Sequence, residues 1–233
     1  EVVRLAAGGS TLVGGGAGLW SRALPQLALG DHLVDLQALG LDAIELPAVG
    51  AGVTLEGLAG HPDLVEGWPA VAEAAASTAT PGVRALATVG GTVAARLPGC
   101  DLAAALDLHG ADVVVEEPSG RRHRAFADYW VDADPGPHVV VGIVLGAAAP
   151  GCYRRVAARR GPAPAVATLA AVRRPDGSVE LRAGAVADRP IAVDPVTGSV
   201  PPGAELRSDD RATGTHRTRL VRVLARDAVA ALG

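Results

Sequence analysis

Two short stretches hold the residues best suited to chemistry. They are Ala7-Gly8-Gly9-Ser10-Thr11-Leu12 near the start and Thr88-Val89-Gly90-Gly91-Thr92 further on. Each has an apolar lead-in, two adjacent glycines and then a hydroxyl residue. Paired glycines place no side chain in front of the backbone N–H groups, and concave N–H runs bind anions, phosphates above all. Two such loops could clasp a pyrophosphate from both sides. Neither fits the commoner phosphate motifs. A Walker loop needs lysine, and the chain has none. G-x-G-x-x-G with an acid about 20 residues on is missing at both places. Taken singly, each glycine pair reads as a tight turn.

The other reactive side chains form no pattern. His61, His109, His123 and His216 lack ligand spacing, so no metal site is read. No Ser-His-Asp arrangement emerges. Cys100 and Cys152 are the only cysteines, too few for a four-cysteine iron–sulfur site. They read as two free thiols in a reducing compartment, with a disulfide as the alternative. The chain has 233 residues, 49% of them hydrophobic, enough for a sizeable core. No apolar run is long enough to be a transmembrane segment. A net charge of −4 and few aromatic residues argue against nucleic acid. With no leader pattern, a cytoplasmic location is expected.

Elements that could position the two loops follow in order. Val2–Ala6 reads as a strand entering the first loop, and Gly14–Leu19 as glycine-rich loop. Leu24–Leu29 and Asp31–Leu36 hold short apolar runs. Leu64–Ala76 has helical spacing at Leu64, Val65, Trp68, Val71, Ala72 and Ala75, and is closed by Thr80-Pro81-Gly82. Leu102–Leu108 reads as a short helix with Asp101 as its N-cap. Ala111–Glu116 and Val139–Leu145 read as buried strands around a turn at Ser119–Arg122. Ala165–Val172 and Val179–Ala183 form a hairpin about Pro175-Asp176-Gly177. A terminal helix lies within Arg211–Leu232, with an apolar face of Leu220, Val221, Val223, Leu224 and Ala228.

The stretch from Thr88 through Gly90-Gly91, Ala94, Pro98 and Asp101 resembles the flavin-binding signature of the FAD subunit of molybdenum hydroxylases, the carbon monoxide dehydrogenase and xanthine dehydrogenase group. The resemblance runs through the chain in one order. Ala7–Leu12 is similar to the family's first glycine loop. His32–Leu36, Val49–Leu55, Gly60-His61-Pro62, Val83–Ala87, Phe126–Trp130, Tyr153–Arg160 and Gly214–Val221 resemble its later segments. It implies an α+β chain: a PCMH-type FAD-binding fold, with a small α/β subdomain and a mixed-sheet α+β subdomain. A C-terminal α+β domain with a three-stranded antiparallel sheet and helices follows. The units are 1–48, 49–147 and 148–233. The family carries a further strand and helix before the first loop. Together with a start at Glu1 and no methionine, this leads to the expectation of a truncated beginning.

What the resemblance implies for function is specific. Both loops hold the FAD pyrophosphate through Ala7, Gly8, Gly9, Ser10, Thr11, Leu12, Thr88, Val89, Gly90, Gly91 and Thr92. Asp101 contacts the FAD. Arg155 stands where the family often has a lysine near the flavin, and otherwise reads as a surface arginine. No side chain acts as acid or base. Molybdopterin belongs to a large partner subunit and the iron–sulfur clusters to a small one, in a dimer of heterotrimers. The flavin passes their electrons to an external acceptor. The chain departs from the pattern at Thr92, Ala95 and Leu97, where the family usually has Asn, Asn or Thr, and Ser. Two alternatives stand beside this reading: a stand-alone FAD oxidase, with Cys100 as the one plausible tether, and a scaffold subunit that has lost FAD.

Overall fold

A computed structural model describes residues 1–18, 32–159 and 163–233. Leu24–Leu29, Leu19, Asp31 and Arg160 lie outside the described residues. The chain opens on helix α1 (Val2–Ala7), where a strand was expected. Val2, Val3 and Ala6 are half-buried while Arg4, Leu5 and Ala7 are exposed, a helical spacing that outweighs the β preference of two valines.

Strand β1 (Thr11–Val13) pairs in parallel with β2 (Leu33–Asp35). A five-stranded sheet follows, in the order β3 (Ile44–Glu45), β4 (Ala48–Gly50), β7 (Val139–Val144), β5 (Asp112–Glu117), β6 (Gly120–Ala125). It is antiparallel throughout rather than mixed: β3–β4 and β5–β6 are hairpins, and β7 enters between β4 and β5, antiparallel to both. β3 pairs with β4 across the expected boundary at 48/49. The expected single helix over 64–76 is two, α3 (Pro62–Gly67) and α4 (Pro69–Ser77). Pro69 lacks the N–H needed to continue α3, and it starts α4 as an N-terminal proline does. Thr80-Pro81-Gly82 likewise opens a helix, α5 (Pro81–Arg84), with the Thr80 hydroxyl accepting from Val83 N. Between β4 and α3 lies α2 (Leu55–Gly60).

The C-terminal sheet has four antiparallel strands, in the order β11 (Ile191–Val193), β10 (Val179–Gly184), β9 (Ala165–Arg173), β8 (Gly151–Ala157). The strand beyond the expected three is β11, whose three residues carry no alternation to read. β9 is buried on both faces, so this sheet is the middle of three layers. On one side Ala170 and Val172 join the core that holds Leu102 and Leu106 of α7 (Asp101–Leu108). On the other, Ala167, Leu169 and Ala171 meet Val221, Leu224, Ala225 and Ala228 of α9 (Gly214–Leu232). Each fully buried leucine here is worth about 1.5–3 kcal/mol. Arg217 of α9 is wholly buried, its guanidinium donating to Val166 O, Ala185 O and the Asp209 carboxylate.

Polar bonds tie α7 to the same sheet. Arg182 Nε donates to Asp107 Oδ2 at 2.6 Å, and an Arg174 nitrogen donates to Leu108 O at 2.8 Å. Behind the helix, His109 Nδ1 bonds Ala147 O at 3.3 Å. Trp68 Nε1 donates to Gly146 O at 2.9 Å, so the segment joining β7 to β8 is held from two sides.

Candidate functional site

The first glycine pair ends α1. Gly9 N donates to Ala6 O and Ser10 N to Leu5 O, a Schellman closure, and Gly9 has φ +84°. Gly8 N donates back to Arg4 O and Leu5 O, while Thr11 N donates to His32 O in the β1–β2 ladder. The second pair is not a loop. Thr88 caps helix α6 (Val89–Ala94), and Gly90 and Gly91 form its first turn. Val89 N donates to Val53 O, Gly90 N to Ala51 O, Gly91 N to Thr88 Oγ1 and Thr92 N to Thr88 O. The expected runs of unengaged N–H groups are therefore absent from both places, because each donor already has a partner in the chain.

The glycines serve approach instead of donation, and they do so unequally. A Cβ on Gly90 would lie 2.5 Å from the Ala51 Cβ and 3.0 Å from Ala51 O, so Gly90 lets α6 pack on the segment after β4. A Cβ on Gly91 would meet only Thr88 Oγ1, at 3.0 Å, and one on Gly9 would meet nothing within 4 Å. Open space thus lies beside Gly9 and Gly91. Each has a hydroxyl next to it in sequence: Ser10 and Thr92 are half-buried, and the buried Thr88 accepts from Gly91 N, which leaves its own O–H to donate. That combination of room and hydroxyl donors fits a phosphate.

The triple glycine after β1, read as loop, brings the two halves together. A Cβ on Gly14 would stand 2.8 Å from Thr88 Oγ1, and one on Gly15 would stand 1.4 Å from Leu86 O. Only glycine can bring the end of β1 so close to the backbone leading into α6. A cleft of about 330 Å³ opens alongside, lined by Val13, Gly14–Gly16, Leu33, Asp35 and Gln37. A glycine run just after a strand is the signal that could have found this contact.

Asp101 and Arg155 come together as a second cluster. Arg155 Nε donates to Asp101 Oδ1 at 2.9 Å, and the Tyr153 hydroxyl donates to the same oxygen at 2.7 Å. A second guanidinium nitrogen of Arg155 donates to Ala163 O. Arg155 is thus a half-buried partner, not a solvated arginine. Tyr153 is the member that sequence reasoning missed. Asp101 occupies the first position of α7 and Cys100 is the N-cap, so the expected capping role falls one residue earlier. Burial pushes the Asp101 carboxyl above the ordinary carboxylate range, against the pull of Arg155 and of the Tyr153 hydrogen bond. Burial, then the Asp101 charge, push the Tyr153 phenol well up. The Cys100 thiol is buried and is pushed up to about 12, first by burial and then by Asp101. Both cysteines are free. Among the described residues, no cluster of His, Cys, Asp and Glu could hold a metal ion, and no helix is long and apolar enough to cross a membrane.

Residues 2–143 match the family described as the FAD binding domain in molybdopterin dehydrogenase. The chain belongs to that family. FAD is accordingly the cofactor of this fold, and the glycine, hydroxyl and Asp101 positions all lie inside the matched segment. Among curated proteins, the chain is 24% identical to the aldehyde oxidoreductase FAD-binding subunit PaoB of Escherichia coli (strain K12). That match covers 90% of this chain and 85% of the relative. It is 32% identical to the carbon monoxide dehydrogenase medium chain of Afipia carboxidovorans, over 46% of this chain and 39% of that one. Its fold superposes with a TM-score of 0.85 on a chain of the reconstituted CO dehydrogenase from Oligotropha carboxidovorans. That pair is 25% identical and covers 98% and 92% of the two chains.

Proposed function

We propose that this chain is the electron-transfer subunit of a multi-subunit molybdenum hydroxylase. It binds FAD between its two glycine turns and passes electrons from iron–sulfur clusters on a small partner to an external acceptor. The molybdopterin centre sits on a large partner, the assembly is a dimer of heterotrimers, and it works in the cytoplasm. The units 1–48 and 49–147 hold the FAD, and 148–233 braces them. The observation that carries the reading is the open space beside Gly9 and Gly91, with the hydroxyls of Ser10, Thr88 and Thr92 near them in sequence.

FAD supplies the redox chemistry when bound, since it can take electrons singly or in pairs. The chain's part is binding and exclusion. Gly9 and Gly91 admit the pyrophosphate, and the Thr88 and Ser10 hydroxyls donate to it. Ala7, Gly8, Thr11, Leu12, Val89 and Gly90 hold those groups in place. The buried Asp101 and the half-buried Arg155 keep an ion pair between α7 and β8. No cluster can sit on this chain's two cysteines, so a partner must supply it.

One observation favours the scaffold reading: every backbone donor of both glycine turns is already engaged. Nothing favours the tethered oxidase, whose cysteine would be the buried, weakly acidic Cys100. A single experiment separates the three. Flavin bleaching by the substrate of the complex is followed anaerobically, first in the isolated chain and then with the molybdenum and iron–sulfur subunits added. The proposal expects bleaching only in the second case. Bleaching in the isolated chain points to the oxidase, and a complex that stays colourless after reconstitution with FAD points to the scaffold.

A further inference from the structure

Helix α9 buries Arg217, Val221, Leu224, Ala225 and Ala228 along one stripe. At 100° per residue, Arg219, Arg222 and Arg226 fall within roughly 60° of one another on the opposite side. All three are exposed, and none has an ion pair or side-chain hydrogen bond among the described residues. Among the described residues, ten other arginines pair with carboxylates. The acid on the outer part of this helix, Asp227, is taken by Arg154 of β8. Three unneutralised cations therefore share one face of a chain whose net charge is −4.

Apolar surface flanks them. Val223 lies on the same face and is 54% exposed. On the other side, the turn Asp194–Ser199 packs against the helix, where a Cβ on Gly198 would lie 3.0 Å from the Arg222 Cα. Asp194 Oδ1 accepts from Val196 N and Thr197 N, so the turn is fixed, and it holds Val196 out at 89% exposure. Among the described residues, nothing covers this valine.

We propose that this face of α9, with the Asp194–Ser199 turn, is a docking surface for another protein chain that presents carboxylates around a small apolar contact. Charge complementarity selects that occupant. Three cations on an acidic chain would give a nucleic acid only a shallow electrostatic hold. A membrane surface requires an exposed apolar helix face rich in large side chains, and the apolar face of α9 is buried against the C-terminal sheet. Desolvated carboxylate–guanidinium contacts around two valines have the make-up of a protein interface.

The test uses the assembled complex and places a photo-crosslinking benzoylphenylalanine at Val223. The expected result is a crosslink to an Asp- or Glu-bearing peptide of a different chain. A crosslink only to a second copy of this chain, or none at all, overturns the proposal. In parallel, R219E/R222E/R226E should weaken retention of the partner about tenfold or more, with thermal stability and FAD content unchanged, and the matching Arg→Lys variant should retain it. Retention within about twofold of the parent by the charge-reversed chain refutes the assignment. So does flotation of the parent with phosphatidylglycerol vesicles. A parent chain without FAD would count against the flavin reading alone and leaves the crosslink readable.

Discussion

Gly90 and Gly91 are neighbours on one helix turn, and alanine at each should do opposite things. At Gly90 the new methyl would enter space held by Ala51, 2.5 Å from its Cβ and 3.1 Å from its Cα, and both elements are buried. Overpacking of this kind costs about 1–3 kcal/mol. For a chain of this length that is roughly 2–12 °C in melting temperature. At Gly91 the methyl would point into open space, with only Thr88 Oγ1 at 3.0 Å. Alanine gains up to about 1 kcal/mol over glycine inside a helix, and disturbing the Thr88 cap costs about as much. Stability should hold while FAD affinity falls about tenfold or more, equivalent to ~1.4 kcal/mol, because the methyl occupies the phosphate's approach. The assays are thermal unfolding of the FAD-free chains and fluorescence titration with FAD. Undiminished binding by Gly91→Ala would place the pyrophosphate elsewhere. A Gly90→Ala chain as stable as the parent would show that α6 does not need that close approach.

Two further outcomes follow from buried groups. Arg217→Met should lower stability by about 2–6 kcal/mol, since it strips Val166 O and Ala185 O of the guanidinium donor and Asp209 of one partner; chemical denaturation measures this, and a loss under about 1 kcal/mol would contradict the anchoring role. His109 is buried, which holds its imidazole below the ordinary histidine range, and its Nε2 has no partner. The folded chain thus binds fewer protons than the unfolded one, so stability is full above the unfolded value of about 6.5 and declines as pH falls below it. Replacing His109 with Gln should flatten that decline in unfolding measured from pH 7 to 5, and an unchanged slope would assign the acid sensitivity to other groups.

Long uninterrupted apolar runs were legible in the sequence. β5, β7, β9 and β10 fall within a residue or two of their expected places, and so do α7 and the end of α9. What failed was local or long-range. In α1 two valines outweighed a helical spacing too short to register. Pro69 split one expected helix, and Gly90-Gly91, counted as a breaker, opened α6. The register of the two glycine pairs with the family's motif was legible, but not their hydrogen bonding. Whether Gly90 N is available depends on Ala51, which only the folded sheet brings to it. The pairing of Asp101 with Arg155 joins two units, and nothing in either local stretch encodes it. Tyr153, third in that cluster, carries no signal of its own beyond being a tyrosine in a strand.

The clamping of α7 onto the C-terminal sheet sets how this molecule can come apart. The family match ends at residue 143, before β8 begins, yet α7 has its Asp101, Asp107 and Leu108 partners in β8, β10 and the turn between β9 and β10. Its alanines also pack on that sheet. A fragment cut at 143 would strip Asp101 of Tyr153 and Arg155 and would bare an alanine-rich helix face to water. The matched unit of sequence is therefore smaller than the cooperative unit of folding. The two glycine turns and the C-terminal sheet should unfold in one transition, and hydrogen exchange in α7 should track global opening rather than local fraying.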